Sequence, residues 1–472
     1  MADITRRVAL SQSALALGGL AAAAWSPSLL ASSLGASSPS PRARPRARPG
    51  RLGKLRIYQI GVGGTIAPHD REQLTQHPDV EIAGLCDVDS DALAKVSAEF
   101  PSAFTCKDFR DGFTKHADSF DAVIVCTPDH NHCVPMQWSL RAGKHTYGQK
   151  PLVQQLSEVK SMQSAIASNP SLVTQVGNQR MGPEGRQHAV NIVRDGLLGP
   201  AREAYVWVDG PPDDGSFYFY YGGLKEPSPP PANLDWELWL GCAQDAPFRE
   251  GLGPIRWRSS WDYGTGQLGD WCTHLLDVPY YALELPSPIA VQAQTHWPSD
   301  FYHAQHVAST LTYPVTGPRF ANNRFVMHYC DKGQYPSRAA LGLPAGTFGG
   351  HGTLIACEGG VMQVNPEGDV NVWIDGKEVD WRKLPGLRAV QARNHWHSWI
   401  DKILGREAFV QTPFSVGVQL AEAGLLCAKA ARYPGQELRW DLPSLTFTNN
   451  EEATKSIVRR DYRSGFEPPY PA

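Results

Sequence analysis

Between Leu55 and Asp87 a strand, a glycine turn, a helix and a second strand follow one another, and this unit limits the fold more than any other stretch. Leu55-Arg56-Ile57-Tyr58-Gln59-Ile60 has the apolar character of a buried strand. Gly61-Val62-Gly63-Gly64-Thr65-Ile66 makes a tight turn, a helix runs to about Gln76, and Val80 to Cys86 is the next strand, ending in Asp87. Strand, crossover helix and strand in this order make a parallel pair covered by helices on its faces. The turn would bring backbone amides to a pyrophosphate at the helix N-terminus. A carboxylate at Asp87 would accept hydrogen bonds from ribose hydroxyls and repel a 2′-phosphate, which favours NAD over NADP. Ile66 stands where a full G-x-G-x-x-G pattern has its third glycine, and glycine turns without a nucleotide also occur.

The alternation continues with a helix at Asp91 to Phe100, a short strand near Phe104 and a helix from about Asp108 to Lys115. Asp121 to Cys126 reads as a buried strand that stops at the polar turn Thr127-Pro128-Asp129-His130-Asn131-His132. A helix over Val134 to Ala142 leads to a strand ending in Tyr147-Gly148-Gln149-Lys150-Pro151. A helix, Leu156 to Ala167, and a strand, Leu172 to Gly177, complete a doubly wound parallel sheet over residues 53–180. Two strand ends thus deliver polar groups to the carboxyl edge of the sheet, where open α/β sheets bind ligands.

Beyond Gly182 the rhythm breaks. A helix, Pro183 to Asp195, and a strand, Ala201 to Val208, precede a polar insert, Asp209 to Asn233, whose run Phe217-Tyr218-Phe219-Tyr220-Tyr221 would suit a pocket wall, a lid or a subunit interface. Strands are expected near Ile289–His296, Val307–Tyr313, Arg324–Tyr329, Thr353–Glu358, Gly360–Val364 and Val370–Ile374, and helices near Ala392–Ile403 and Val416–Arg432. Short connections between several of the strands imply a largely antiparallel sheet. The fold class is therefore α/β plus α+β. Residues 181–472 form the α+β part, expected to carry substrate contacts and oligomerisation.

At 472 residues the chain is too long for a single core, and a net charge of -3 gives no electrostatic case for nucleic acid. The nine cysteines lack CxxC spacing, so neither a zinc site nor a complete disulfide set is indicated. Arg6-Arg7 precede an apolar run from Val8 to Trp25 that is too short and mild for a membrane span. The pair resembles a twin-arginine export signal over residues 1–35, which implies a periplasmic protein, and a general secretory signal or an uncleaved anchor is the alternative. Residues 36–52, rich in Ser, Pro and Arg, read as an extended linker.

A further constellation lies at Gly264-Thr265-Gly266-Gln267-Leu268-Gly269-Asp270-Trp271-Cys272-Thr273-His274, a glycine-rich turn running into a helix. Asp270 and His274 share a face about 6 Å apart along the axis, close enough for the carboxylate to raise the imidazole pKa and make it a general base. The same spacing also fits a solvated surface pair. No third ligand with metal spacing accompanies it.

Together, Gly61-Val62-Gly63-Gly64, Cys126-Thr127-Pro128-Asp129-His130-Asn131-His132, Gly143 to Pro151 and Gly269 to His274 resemble, in order, the Gfo/Idh/MocA family, relatives of glucose-fructose oxidoreductase and inositol dehydrogenase. The likeness runs from about Leu55 to Gly435 and is strongest to an exported bacterial branch with phrases like Asp235-Trp236-Glu237-Leu238-Trp239-Leu240-Gly241. It implies a Rossmann domain and a hydride-transfer site. Lys150 would hydrogen-bond the substrate and relay its proton, His274 would be base or acid, and Asp270 would tune it. The cofactor would lie against Gly61, Gly63, Gly64, Asp87, Thr127, Pro128, His130 and Lys150. The implied activity is NAD(H)-dependent oxidation of a carbinol in a sugar, sugar derivative or cyclic polyol with a tightly held cofactor, in a homodimer or homotetramer. Transient oxidation ending in glycoside hydrolysis, or an inactive ligand-binding relative, are the alternatives. Gln149 stands where the family pattern has Glu, removing a charge beside Lys150.

Overall fold

A computed structural model describes residues 53–209, 225–252, 256–295, 300–304, 306–332 and 334–472. The export signal, the linker and the aromatic run of the insert lie outside the described residues. All of the described residues belong to one unit, Pro45–Ala472.

The chain opens with β1 (Leu55–Ile60), α1 (Ala67–Thr75), β2 (Val80–Cys86), α2 (Ser90–Glu99), β3 (Phe104–Cys106), α3 (Phe109–Lys115), β4 (Ala122–Val125), α4 (Cys133–Arg141), β5 (His145–Gly148), α5 (Leu156–Ala167) and β6 (Thr174–Val176). These strands form one six-stranded sheet in the order β3-β2-β1-β4-β5-β6, with every pairing parallel. β4 is buried throughout, as a central strand covered on both faces must be. Gly61 has a φ of 81° and stands so near the end of β4 that a Cβ would lie 2.7 Å from the Cys126 carbonyl oxygen. Only glycine suits both conditions. Ile66 has ordinary right-handed geometry as the residue capping α1, so the backbone makes no demand for a third glycine there.

The remainder comprises α6 (Glu184–Arg194), β7 (Ala201–Val208), α7 (Trp236–Leu240), α8 (Gly266–Leu275), α9 (Asp277–Leu283), β8 (Ala290–Gln294), β9 (Ala308–Pro314), β10 (Arg324–Asp331), β11 (Gly352–Cys357), β12 (Val361–Val364), β13 (Val370–Ile374), β14 (Lys377–Val379), α10 (His395–Ile403), α11 (Phe414–Ala430), β15 (Glu437–Asp441), β16 (Thr446–Phe447) and α12 (Glu451–Ile457). Ten strands make a second sheet, β14-β13-β12-β11-β7-β10-β9-β8-β15-β16. It is antiparallel except where β7 runs parallel to β10. The α/β plus α+β expectation therefore holds. Periodicity gave no sign of β14, β15, β16 or α12, because segments this short and this polar repeat too few times to show a pattern.

α11 packs on α8, and Gly424 permits the approach: a Cβ there would meet the Cys272 Cβ at 2.3 Å. α10 does not stay with the second sheet. Its Trp396, Trp399 and Ile400 join Leu55, Ile57, Leu74, Ala122 and Ile124 in one apolar cluster, so a helix more than 200 residues downstream of β6 covers a face of the first sheet. Among the described residues, no helix is long and apolar enough to cross a membrane.

Candidate functional site

The carboxyl edge of the first sheet opens into a cavity of about 720 Å³, a size that accommodates a cofactor or small substrate. Gly61, Gly63, Gly64 and Thr65 of the glycine turn line it, together with Asp87, Val88 and Asp89 after β2 and with Thr127, Pro128, Asp129, Lys150, Asp270 and His274. Asp87 does more than await a ribose. Its Oδ2 accepts from the Val62 and Gly63 amides at 2.8 and 2.9 Å, and its Oδ1 from the Asp89 amide at 2.9 Å. The residue thereby shapes the glycine turn, and a carboxylate with about four lone-pair sites keeps capacity for one ribose hydroxyl beside these three donors. Gly64 has a φ of 71° and open space where a Cβ would stand, so the turn offers the cavity backbone in place of side chains. A dinucleotide's pyrophosphate and ribose fit these residues.

Lys150 follows β5 directly. Its Nζ donates to Asp270 Oδ1 at 2.8 Å and to the Asp270 carbonyl at 3.2 Å, which ties the first sheet's edge to α8. The Arg258 Nε stands 3.8 Å from the same carboxylate oxygen. The neighbour of Lys150 is held from below: His132 places one ring nitrogen 2.7 Å from the Pro151 carbonyl and the other 2.7 Å from the Thr127 carbonyl, clamping two strand ends together.

His274 differs from the sequence expectation in two respects. Its Nδ1 lies 3.0 Å from Asn178 Oδ1, while the Asn178 amide donates to Asp277 Oδ2 at 3.0 Å, which assigns the Nδ1–H tautomer and leaves Nε2 as the lone-pair nitrogen. Asn178, from the loop after β6, is therefore the orienting group, and Asp270 is engaged by Lys150. Burial drives the imidazole pKa well below its ordinary value, and Lys150 adds to the fall. Asp270 pulls the other way without prevailing, so the expected raised imidazole is replaced by a neutral one. Arg186, fully buried, donates to the His274 carbonyl at 2.8 Å and pairs with Asp277, anchoring the end of α8.

His130, a sequence candidate for the cofactor, is not among the cavity-lining residues. Its ring packs against Trp239 and Tyr263, with Nε2 3.0 Å from the Trp239 carbonyl, and burial pushes its pKa down to about 3. The single 3₁₀ turn Asp129–Asn131 splits its side chains, and Asp129 takes the cavity side. In the sequence Asp129 stands out only as one member of a polar turn. Its Oδ2 accepts from Thr265 Oγ1 at 2.7 Å. Burial, then the Asp270 charge, raises its pKa to about 7 against the pull of Arg258 and Lys150.

An acid raised in the folded state contributes stability fully present below its unfolded pKa near 3.8 and lost as pH climbs through about 7. Asp129→Asn removes that loss. Melting curves are expected to show the variant gaining on the wild type between pH 4 and pH 8, and a constant difference across that range would refute the assignment.

The fold and this site define a dinucleotide-dependent oxidoreductase class. Residues 55–177 match the family described as "Oxidoreductase family, NAD-binding Rossmann fold", and residues 188–314 match "Oxidoreductase family, C-terminal alpha/beta domain". The chain belongs to the Gfo/Idh/MocA oxidoreductase family. It is 24% identical over 151 residues to an uncharacterized oxidoreductase, YrbE, of Bacillus subtilis (strain 168), covering 32% of this chain and 39% of that protein. It is 26% identical over 144 residues to 4-carboxy-2-hydroxymuconate-6-semialdehyde dehydrogenase of Sphingobium sp., covering 30% and 44%. The chain thus spans about two fifths of the length of the curated relatives it matches. Among solved structures, aldose-aldose oxidoreductase from Caulobacter crescentus complexed with glycerol has a TM-score of 0.53 at 16% identity over 82% of this chain and 100% of that one. The WlbA dehydrogenase from Bordetella pertussis, in complex with NADH and UDP-GlcNAcA, has 0.57 at 16% over 82% and 99%. An inositol dehydrogenase homolog from Azotobacter vinelandii, complexed with NADH and myo-inositol, has 0.55 at 15% over 82% and 98%. At such identities the likeness is one of fold.

Proposed function

We propose that the protein oxidises a carbinol of a sugar, sugar derivative or cyclic polyol with NAD as a tightly held cofactor. The carrying observation is the contact of Lys150 with Asp270, 2.8 Å apart, in the same cavity as the neutral His274 and the glycine turn. Gly61, Gly63, Gly64, Asp87, Thr127 and Pro128 would hold the cofactor, which supplies the hydride acceptor when bound. Lys150 would donate a hydrogen bond to the substrate oxygen, with Asp270 neutralising its charge and fixing its ammonium. The His274 Nε2 lone pair would receive the hydroxyl proton, with Nδ1–H held by Asn178 so that the ring cannot turn. The structures of relatives bound to NADH with an inositol or a sugar nucleotide support the substrate class by analogy of fold.

Mass analysis of nucleotide released on denaturing the purified protein, joined to a polyol and sugar oxidation screen, tests the reading. Release of NAD with oxidation of at least one polyol is expected, and protein free of dinucleotide that also fails to reduce added NAD would refute it. The choice of NAD over NADP rests on Asp87. Asp87→Ser is expected to shift the NADP-to-NAD preference in kcat/KM by about 10-fold or more toward NADP, and an unchanged preference would remove Asp87 from that role.

Export is part of the same proposal, supported by Arg6-Arg7 ahead of an apolar run; a twin-arginine route, which moves proteins already folded, would account for nine cysteines that are all free thiols. So is a homo-oligomer, for which the half-exposed outward face of β7 and β10, with Tyr205 stacked on His328, offers a surface.

A further inference from the structure

Asp70, in the first turn of α1, is a carboxylate that none of the roles above uses. It is 1% exposed. Trp396 Nε1 donates to its Oδ1 at 2.8 Å, and Cys126 Sγ (3.6 Å) and Gln149 Nε2 both donate to its Oδ2. These three partners come from three different elements: α10, the end of β4 and the end of β5. All three are donors, an arrangement that suits an ionised carboxylate. Burial raises the Asp70 pKa to about 6 while these hydrogen bonds pull it down. His69, the exposed residue before it on α1, adds a weaker charge effect in the same downward direction, and the buried Tyr147 hydroxyl from β5 feels the Asp70 charge. A carboxylate kept this deep with no cation paired to it is costly, which marks it as a candidate for a role at the site.

What depends on it is the residue after Gln149. The Gln149 amide has one orientation available, Nε2 toward Asp70, and that turns Oε1 to the backbone amide of Lys150, which donates to it at 3.3 Å. The Gln149 side chain is also wedged against the end of β6, where a Cβ on Gly177 would come within 2.6 Å of it. We propose that Asp70 positions Lys150, acting through the Gln149 amide, so that the ammonium meets Asp270 across the cavity. Asp70 is a positioning residue and touches neither substrate nor cofactor. The inference rests on the reading that Lys150 acts on substrate.

The test is a charge exchange. Asp70→Asn turns the Gln149 contact from charged to neutral and frees the amide to flip, and Gln149→Glu sets two buried carboxylates face to face. Combining them restores one carboxylate and one amide in the same contact with the direction of donation reversed. Each single variant is expected to lower kcat by about 10- to 100-fold, as displacement of a reacting group does, with KM changed by no more than about twofold. The double variant is expected to recover most of that loss. Separately, the NMR signal of Lys150 as [13C]dimethyl-lysine, assigned by its absence in Lys150→Arg, is expected to move in Asp70→Asn and return in the double variant. Wild-type kcat in Asp70→Asn, or a double variant that melts like the wild type yet stays as slow as the singles, would overturn the proposal. Should Asp70→Asn fail to fold, the double variant decides alone by its turnover and resonance. A resonance that follows the exchange in a protein that oxidises no polyol would sink the proposed activity and leave Asp70 in place; a resonance indifferent to it, in an active enzyme, would do the reverse.

Discussion

Lys150→Ala is expected to abolish most turnover, lowering kcat by about 10²- to 10⁴-fold, the range for loss of a positioned proton-transfer group, while the protein keeps its nucleotide. The two outcomes separate because the glycine turn is shaped by its own hydrogen bonds to Asp87 and not by the lysine. Removing the ammonium also leaves Asp270, 6% exposed at its side chain, without its closest cation, with Arg258 the remaining one nearby. Lys150→Arg is expected to restore the charge without the activity, since a planar fork cannot place a single donor where the ammonium stands. Steady-state kinetics beside nucleotide content per mole of protein check both. A Lys150→Ala enzyme within a factor of about three of wild type would contradict the role.

Arg186→Leu carries the largest expected stability effect, about 3–5 kcal/mol, because it strands a carboxylate where no water can reach it. Arg186 and Asp277 are both 0% exposed, and the guanidinium also donates to the carbonyls of Asn365 and His274. Asp277 would retain its hydrogen bonds from Asn178 and from the Val278 amide, which are too few to replace a full positive charge. The urea midpoint measures the loss, and Arg186→Leu combined with Asp277→Leu is expected to recover much of it, as apolar replacement of a buried pair often does. The site is affected as well. The His274 carbonyl loses its guanidinium donor at the end of α8, so residual activity should fall further than stability alone explains.

The parts of this architecture that repeat locally were legible from residues alone. The alternation from Leu55 to Gly177, with its acid at Asp87, carries its own period and turn chemistry, and the structure reproduces it strand for strand. Lys150, Asp270 and His274 were legible as residue types at strand and helix ends, and the cavity brings all three together. What could not be read is which group faces which. Asp270 and His274 share a helix face, yet the partner each one holds, Lys150 and Asn178, arrives from another element over separations of 120 and 96 residues. In the turn Asp129–Asn131, one residue of offset decides between lining a cavity and packing on Trp239, and no pattern in residues 127–132 encodes that choice. The return of α10 to the first sheet was invisible for the same reason, although Trp396 and Trp399 on one amphipathic face were a usable sign that the helix buries two indoles somewhere. Gln149, conspicuous only as a departure from a family pattern, acquires a physical meaning once Asp70 is seen beside it.

The wall of the cavity on the Asp87 side has a kinetic implication. Residues 233–235 lie across the loop after β2, where the Ser90 amide donates to the Asn233 carbonyl and the Asp235 amide to that of Val88. Phe466, which also lines the cavity, stacks under Arg110, whose guanidinium donates to the Gly465 carbonyl across 355 residues of chain. Closing a loop of that length costs roughly 2 kcal/mol more than closing one of about 30 residues within a single strand–helix–strand unit. The parallel strands can therefore pair with neighbours in sequence well before α10 covers their face and the cleft has all its walls, and competence to retain a dinucleotide would arise late on the folding path. Retained nucleotide would then mark chains that have finished folding, a ready readout for separating complete molecules from collapsed intermediates.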